Sequence, residues 1–489
     1  MTTKVKVTLE DVFYPKSVAV IGASSDDEKE RRGWTGSLLN FGYKGKLYPI
    51  NPKATEILGL KAYPSITAIE GQVDYAILNV SASLVPKILQ DCAARGVKIA
   101  HVFTAGFAEI GKPEGKALQE EVKHIAEQTS MRLIGPNCMG VHCPEGGLTF
   151  ANLPKKQGPV ALITQTGAGA GRIITYASGR GIYFGKVVSY GNAIDLDSPD
   201  FLEILADDPQ IRFIALYVEG VKDGRRFLNA VKRCIREGKA VVMLKAGLTE
   251  ASKEAAASHT AALAGSEQAW KAFFAQTGVI RVYTLEEIAE QLVALQYIPP
   301  PQGRRVGMIG RGGGPGVIAT EICERAGLKV LPYSAEMRVE LEKITTANAG
   351  SMTRNPVEVG MGRAGAQQGY IDAFRIVAAS PQIDLILTHL NPDAFILYGG
   401  SPEWVNYSID ALLSIFRTLP KPVVLVLPSG ETPESREIVL QAWARCAEAG
   451  LAVFRSYESA ARALSNLISY YEFKEKARLL ENQNSQESG

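Results

Sequence analysis

Apolar residues along this chain fall in short, unbroken runs rich in valine and isoleucine, each followed by a longer stretch of helical spacing. A run that is apolar at every position reads as a strand covered on both faces. Its alternation with helices is the pattern of βαβ units around parallel sheets. Strands are predicted at 18–22, 46–50, 75–80, 99–104 and 132–135, and again at 160–164, 186–190, 213–218, 240–244 and 279–282. After the linker Pro299-Pro300-Pro301-Gln302-Gly303 a third set follows, at 305–309, 329–331, 385–389, 422–427 and 452–454. The expected fold is α/β, with three doubly wound domains: Rossmann-like over 1–153, flavodoxin-like over 154–300 and again over 301–472. A polar tail closes the chain at 473–489, predicted to be disordered from about Glu481.

Composition narrows the function classes. Of the 489 residues 21% are charged, and the formal net charge is +2 with no basic block, so a dedicated nucleic-acid binder is not expected. No apolar run reaches the length of a membrane span, and the N-terminus carries no apolar signal core. Cys92, Cys138, Cys143, Cys234, Cys323 and Cys446 are scattered without a C-x-x-C pair, which suits a reducing, cytoplasmic setting. Cys138, His142 and Cys143 lack a fourth ligand at zinc spacing, and no metal site is expected.

Candidate chemistry gathers where each domain's first strand turns into its first helix, the place at which a doubly wound sheet presents free N–H groups to an anion. The first domain has Val20-Ile21-Gly22-Ala23-Ser24, which is not G-x-G-x-x-G, and its second strand ends in Asn51-Pro52-Lys53 rather than in an acid. A lysine there suits an additional phosphate, as on coenzyme A, better than the ribose hydroxyl of NAD. The second domain opens with Thr166-Gly167-Ala168-Gly169 and the third with Gly310-Arg311-Gly312-Gly313-Gly314-Pro315. Neither has the Gly-Lys-Ser/Thr of a P-loop, but two helix starts can converge on one anion.

His259 lies in the small-residue stretch Ala255-Ala256-Ala257-Ser258-His259-Thr260-Ala261-Ala262, and imidazole is a nucleophile as well as an acid or base. Glu219 ends the apolar run Ala215-Leu216-Tyr217-Val218. It is placed to accept a histidine N–H and so fix the ring's tautomer, or else to pair with Lys222 or Arg225 at the rim.

These motifs together resemble the α subunit of NDP-forming (ADP-forming) acyl-CoA synthetases, in the succinyl-CoA synthetase superfamily. The resemblance runs from about Val12 to Tyr471. Beside the loops above, it rests on Leu133-Ile134-Gly135-Pro136-Asn137-Cys138-Met139-Gly140, Ser189-Tyr190-Gly191-Asn192-Ala193, Tyr217-Val218-Glu219-Gly220 and Ser258-His259-Thr260. It implies a ligase in which acyl-CoA and phosphate give an acyl phosphate. His259 takes up the phosphoryl group and passes it to ADP, with ATP as product and Mg2+ on the nucleotide. By the same resemblance Glu219 steadies His259, and Thr166, Gly167, Ala168, Gly313 and Gly314 hold the phosphate. Gly22, Ala23, Ser24, Lys53, Val80, Ser81, Thr104 and Asn137 line the coenzyme A site.

The chain departs from the family pattern at Ala261, at Arg311 and at Glu358, where glycine, a small polar residue and aspartate are usual. No stretch looks like an ATP-grasp domain, so a separate β subunit is expected to bind the nucleotide, most simply in an α₂β₂ assembly. The rival expectation is a coenzyme A or acyl-CoA sensor that binds without catalysis. An acyl-adenylate ligase would need a Ser/Thr/Gly-rich phosphate loop that the sequence lacks.

Overall fold

Continuous apolar runs become strands buried at nearly every position. In the computed structural model, which describes residues 5–249, 251–252, 266–310, 314–345, 353–359, 366–397 and 403–487, they build three large, mainly parallel sheets. The first contains β1 (Ser17–Ile21), β2 (Lys46–Ile50), β5 (Tyr75–Leu78), β6 (Ile99–Val102) and β7 (Arg132–Ile134). A small hairpin of β3 (Glu56–Ile57) and β4 (Leu60–Lys61) stands apart. The strand order is β2-β1-β5-β6-β7, all parallel, with the crossover beside β1 that places ligands at the carboxyl ends of a doubly wound sheet.

The second sheet joins β8 (Gly140–His142), β9 (Val160–Thr164), β10 (Phe184–Ser189), β11 (Phe213–Val218), β12 (Ala240–Lys245) and β13 (Ile280–Val282) in the order β13-β12-β11-β9-β10-β8. β8 alone runs antiparallel, closing the β10 edge. The third sheet orders β14 (Val306–Gly310), β15 (Val357–Glu358), β16 (Leu385–His389), β17 (Val423–Val426) and β18 (Ala452–Phe454) as β15-β14-β16-β17-β18. Its core is a single cluster of aliphatic and aromatic side chains that includes Tyr370, Phe374 and Trp443.

The chain forms two compact units, Met1–Thr175 with Tyr183–Ile288, and Tyr176–Ile182 with Ala289–Gly489. The first two sheets share the first unit. There the guanidinium of Arg132, at the start of β7, grips Asp195 in the loop after β10.

Two expectations need correction. Residues 329–331 are not a strand: Arg305 and Lys329 form only an isolated bridge, and β15 takes the place beside β14. Pro332 directly after Leu331 cannot donate to a ladder, which stops pairing there. The tail is not disordered from Glu481, because the final helix runs Tyr457–Glu487. Leu479, Leu480, Glu481, Gln483 and Gln486 are polar or apolar but all good helix formers, and polarity alone does not break a helix. Among the described residues no helix is long and apolar enough to cross a membrane.

Candidate functional site

Gly22 follows β1 with φ +90°, and a Cβ there would sit 2.1 Å from the Asn79 carbonyl oxygen. Only glycine lets the loop pass this close to the end of β5. The next turn is held from below by Glu30, 4% exposed, whose carboxylate accepts the Ser24 N–H at 2.7 Å and the Thr35 N–H at 3.0 Å. Asn51 ties the same loop to β2 by donating to the Ala23 carbonyl at 2.8 Å, while its own side-chain oxygen accepts from the Lys53 N–H at 2.8 Å. The Lys53 side chain is exposed.

Farther along the same edge, Thr104 beyond β6 donates its hydroxyl to the Val80 carbonyl at 2.9 Å. Asn137 beyond β7 has φ 58° and donates its N–H to the Thr104 carbonyl at 3.0 Å. The structure thus gathers Gly22, Ala23, Ser24, Lys53, Val80, Ser81, Thr104 and Asn137 at the carboxyl ends of the five strands of one sheet. The edge continues into the second sheet's loops: Asn137 reaches Asn192 at 3.4 Å, and Asn192 donates to Glu109 at 2.6 Å and to Gln119 at 3.0 Å. The Glu109 carboxylate also accepts the Gly106 and Phe107 N–H groups.

In the second sheet the helix Gly167–Ser178 starts at the carboxyl end of β9. Thr166 caps it, its hydroxyl oxygen accepting the Gly169 N–H at 3.2 Å. Beside it Glu219 directly follows the end of β11, where Tyr217 pairs with Thr164. Glu219 is 4% exposed and held on three sides. The Gln165 side-chain oxygen accepts the Glu219 N–H at 2.5 Å and the Gly220 N–H at 3.0 Å. The Lys245 ammonium donates to the Glu219 carbonyl at 2.6 Å, and the Tyr217 hydroxyl bonds the Glu219 carboxylate. With its backbone fixed by Gln165 and Lys245 and its carboxylate bonded by Tyr217, Glu219 can orient an imidazole with little reorganisation.

His259 and Gly313 lie outside the described residues. Gly314 opens the helix Gly314–Arg325 after β14. Lys222, offered as a rim partner of Glu219, instead donates to the Ala193 carbonyl, and burial lowers its pKa. His101 and His142 are buried and His389 is half-buried, and desolvation pushes the pKa of each down to about 4. Asp197 caps the helix Ser198–Ala206, and burial raises its pKa. The Cys138 thiol turns to the Val102 carbonyl at 3.7 Å. Among the described residues no group of three His, Cys, Asp or Glu side chains is placed to hold a metal.

Residues 16–144 match the CoA binding domain family, and residues 157–295 match the succinyl-CoA ligase like flavodoxin domain family. The chain is 38% identical to subunit alpha of the ADP-forming acetate–CoA ligase I of Pyrococcus furiosus, over 78% of this chain and 82% of that one. The chain belongs to the ADP-forming acyl-CoA synthetase family. A longer family member, acetate–CoA ligase (ADP-forming) I of Archaeoglobus fulgidus, is 35% identical over 97% of this chain, which spans 65% of that relative's length. Among solved structures, the dinucleotide forming acetyl-coenzyme A synthetase 1 of Ca. Korarchaeum cryptofilum, in complex with phosphate and ADP, superposes with a TM-score of 0.79. It is 31% identical, with 95% of this chain and 97% of that one covered.

On this chain, the CoA binding match takes in the whole carboxyl edge built around Gly22, and the flavodoxin match takes in Thr166, Glu219 and Lys245. Sequence reasoning missed Glu30, Asn51, Glu109, Gln165 and Lys245. Glu30 was legible in principle: a carboxylate six residues after Ser24, on the short helix Asp27–Arg31 beside a loop that needs its N–H groups satisfied, is a capping signal.

Proposed function

We propose that this chain is the α subunit of an ADP-forming acyl-CoA synthetase, converting acyl-CoA, phosphate and ADP reversibly into carboxylic acid, coenzyme A and ATP. Its domains are those read from the sequence, 1–153, 154–300 and 301–472. A phosphate oxygen attacks the thioester carbonyl and the thiol of coenzyme A leaves, giving an acyl phosphate. A ring nitrogen of His259 then takes the phosphoryl group and the carboxylate departs. Glu219 accepts the N–H of the other ring nitrogen, which fixes the tautomer and stabilises the cationic ring that forms. Thr166, Gly167, Ala168, Gly313 and Gly314 supply N–H donors and helix dipoles to the phosphate.

Coenzyme A fits the first sheet's carboxyl edge. The bare Gly22 turn admits a diphosphate close to the backbone, and Lys53 offers an exposed cation for a further phosphate. ADP and Mg2+ belong to an ATP-grasp β subunit, in an α₂β₂ assembly; a relative named as an α subunit supports this arrangement. Six free, buried cysteines fit a cytoplasmic protein.

One observation carries the reading: Glu219 is buried and clamped beside the Thr166-capped helix start. To test it, the purified chain is incubated with a panel of acyl-CoAs and radiolabelled phosphate, with and without an ATP-grasp partner. Phosphoprotein is then sought at alkaline pH, where phosphohistidine survives. Label on wild type and none on His259→Ala is the expected result. No label with the partner present, alongside tight coenzyme A binding, would leave a sensor instead of a synthetase.

A further inference from the structure

Lys245 is the last residue of β12 and is 7% exposed, yet among the described residues no carboxylate hydrogen-bonds its ammonium. The group donates to the Glu219 carbonyl at 2.6 Å and to the Ala246 carbonyl, and it lies 5.1 Å from the centre of the Trp270 ring. Each contact belongs to a different piece of the site. Glu219 directly follows β11, Ala246 begins the chain segment that precedes His259 in sequence, and Trp270 sits in the helix Glu267–Thr277 that follows it. That helix is capped by Ser266, whose hydroxyl oxygen accepts the Ala269 N–H at 3.2 Å.

A buried ammonium is costly, and an apolar side chain of the same length would fill the space. What an apolar chain cannot do is pull two carbonyls and an aromatic face toward one point. We propose that Lys245 is a positioning residue of the phosphoryl relay, holding the Glu219 turn and both stems of the His259 segment in one register. The inference rests on the synthetase reading above. The same charge beside Glu219 also offsets the negative charge of a phosphoryl group arriving there.

Burial lowers the pKa of Lys245 to about 8, and Glu219 is the charged group that raises it in opposition. Among the described residues, the charged groups on neighbouring elements include Glu267, paired with Lys271 at 2.9 Å, and Arg281, over the Phe274 and Tyr283 rings. The helix Gly224–Arg236 turns Phe227, Ala230, Val231 and Cys234 inward. The ammonium therefore loses its charge on the alkaline side of neutrality, and the relay should slow with it.

The test follows phosphoenzyme formation on the full chain by rapid quench, across pH, from radiolabelled phosphate and the member of the acyl-CoA panel that labels the wild type best, with Lys245→Met and Lys245→Arg. Lys245→Met is expected to slow labelling about tenfold or more while coenzyme A affinity stays within about twofold. Lys245→Arg is expected to recover most of the rate and to move the alkaline limb, set near pH 8 in the wild type, upward. A wild-type rate and profile in Lys245→Met would overturn the proposal and leave the relay standing. Should Lys245→Met not fold, an unmoved alkaline limb in Lys245→Arg would overturn it instead. No label on the wild type with its partner present would remove the relay, and this role with it.

Discussion

Arg132 holds Asp195 by two hydrogen bonds, 2.8 Å from Nε to Oδ2 and 3.1 Å from Nη2 to Oδ1, and the Leu133 N–H adds a third at 2.9 Å. The side chains are 9% and 1% exposed, so this is a buried, bidentate pair joining the end of the first sheet to a loop of the second. Asp195→Ala should destabilise the chain by about 2–4 kcal/mol, because it leaves the buried guanidinium with only the Val5 carbonyl at 2.9 Å and the more distant Asp200 carboxylate at 3.7 Å. Urea unfolding checks this. A change under about 1 kcal/mol would mean the pair merely accompanies packing made elsewhere.

Glu30 bonds only backbone N–H groups, at Ser24 and Thr35, so its effect should reach coenzyme A through the shape of the loop. Glu30→Ala is expected to weaken coenzyme A binding about tenfold by calorimetry, the equivalent of one or two charge-assisted hydrogen bonds. Unaltered affinity would show that the loop keeps its form without the carboxylate.

A methyl group at position 22 has nowhere to go, with the Asn79 carbonyl oxygen at 2.1 Å and φ at +90°. Gly22→Ala should abolish measurable coenzyme A binding and lower stability by about 2–4 kcal/mol. The neighbouring Ser24→Ala, which keeps its backbone N–H, should do neither.

His142 is a neutral, buried ring beside Phe41 and Phe150, its Nδ1 3.1 Å from the Thr149 hydroxyl. Its pKa is pushed down to about 4, below the unfolded value of 6.5. Above pH 6.5 both states are neutral and its contribution is fully present. As the pH falls the unfolded chain takes the proton first, so stability declines until the folded pKa is passed. The loss amounts to about 3 kcal/mol. Melting curves from pH 7 to 4.5 should fall less steeply in His142→Gln than in the wild type; parallel curves would sink this account.

The strands were legible because each is buried on both faces, so a run such as Val160–Thr164 announces itself without reference to its neighbours. Short edge strands were not. Gly140–His142 and Val357–Glu358 are too brief for periodicity, and only the strand alongside makes them strands. The same holds for the site. Glu219 could be read from its place at the end of an apolar run. Gln165 and Lys245, 54 and 26 residues away, meet it only because β9, β11 and β12 lie side by side. Spacing in sequence carries no trace of such neighbours. His259 was singled out from its sequence setting, and it lies outside the described residues.

β8 gives the first unit an interlocked build. Its residues belong to the CoA binding match, yet they pair with β10 in the next sheet, Val187 against His142 and Ser189 against Gly140. The two sheets are therefore spliced together, in the way one plank is let into another. A fragment cut between residues 144 and 157, where the two family matches part, would carry β8 away and leave β10 with a bare row of N–H and C=O groups. Such a fragment would be prone to stick to itself, so the coenzyme A half and the ligase half should be expressed as one piece.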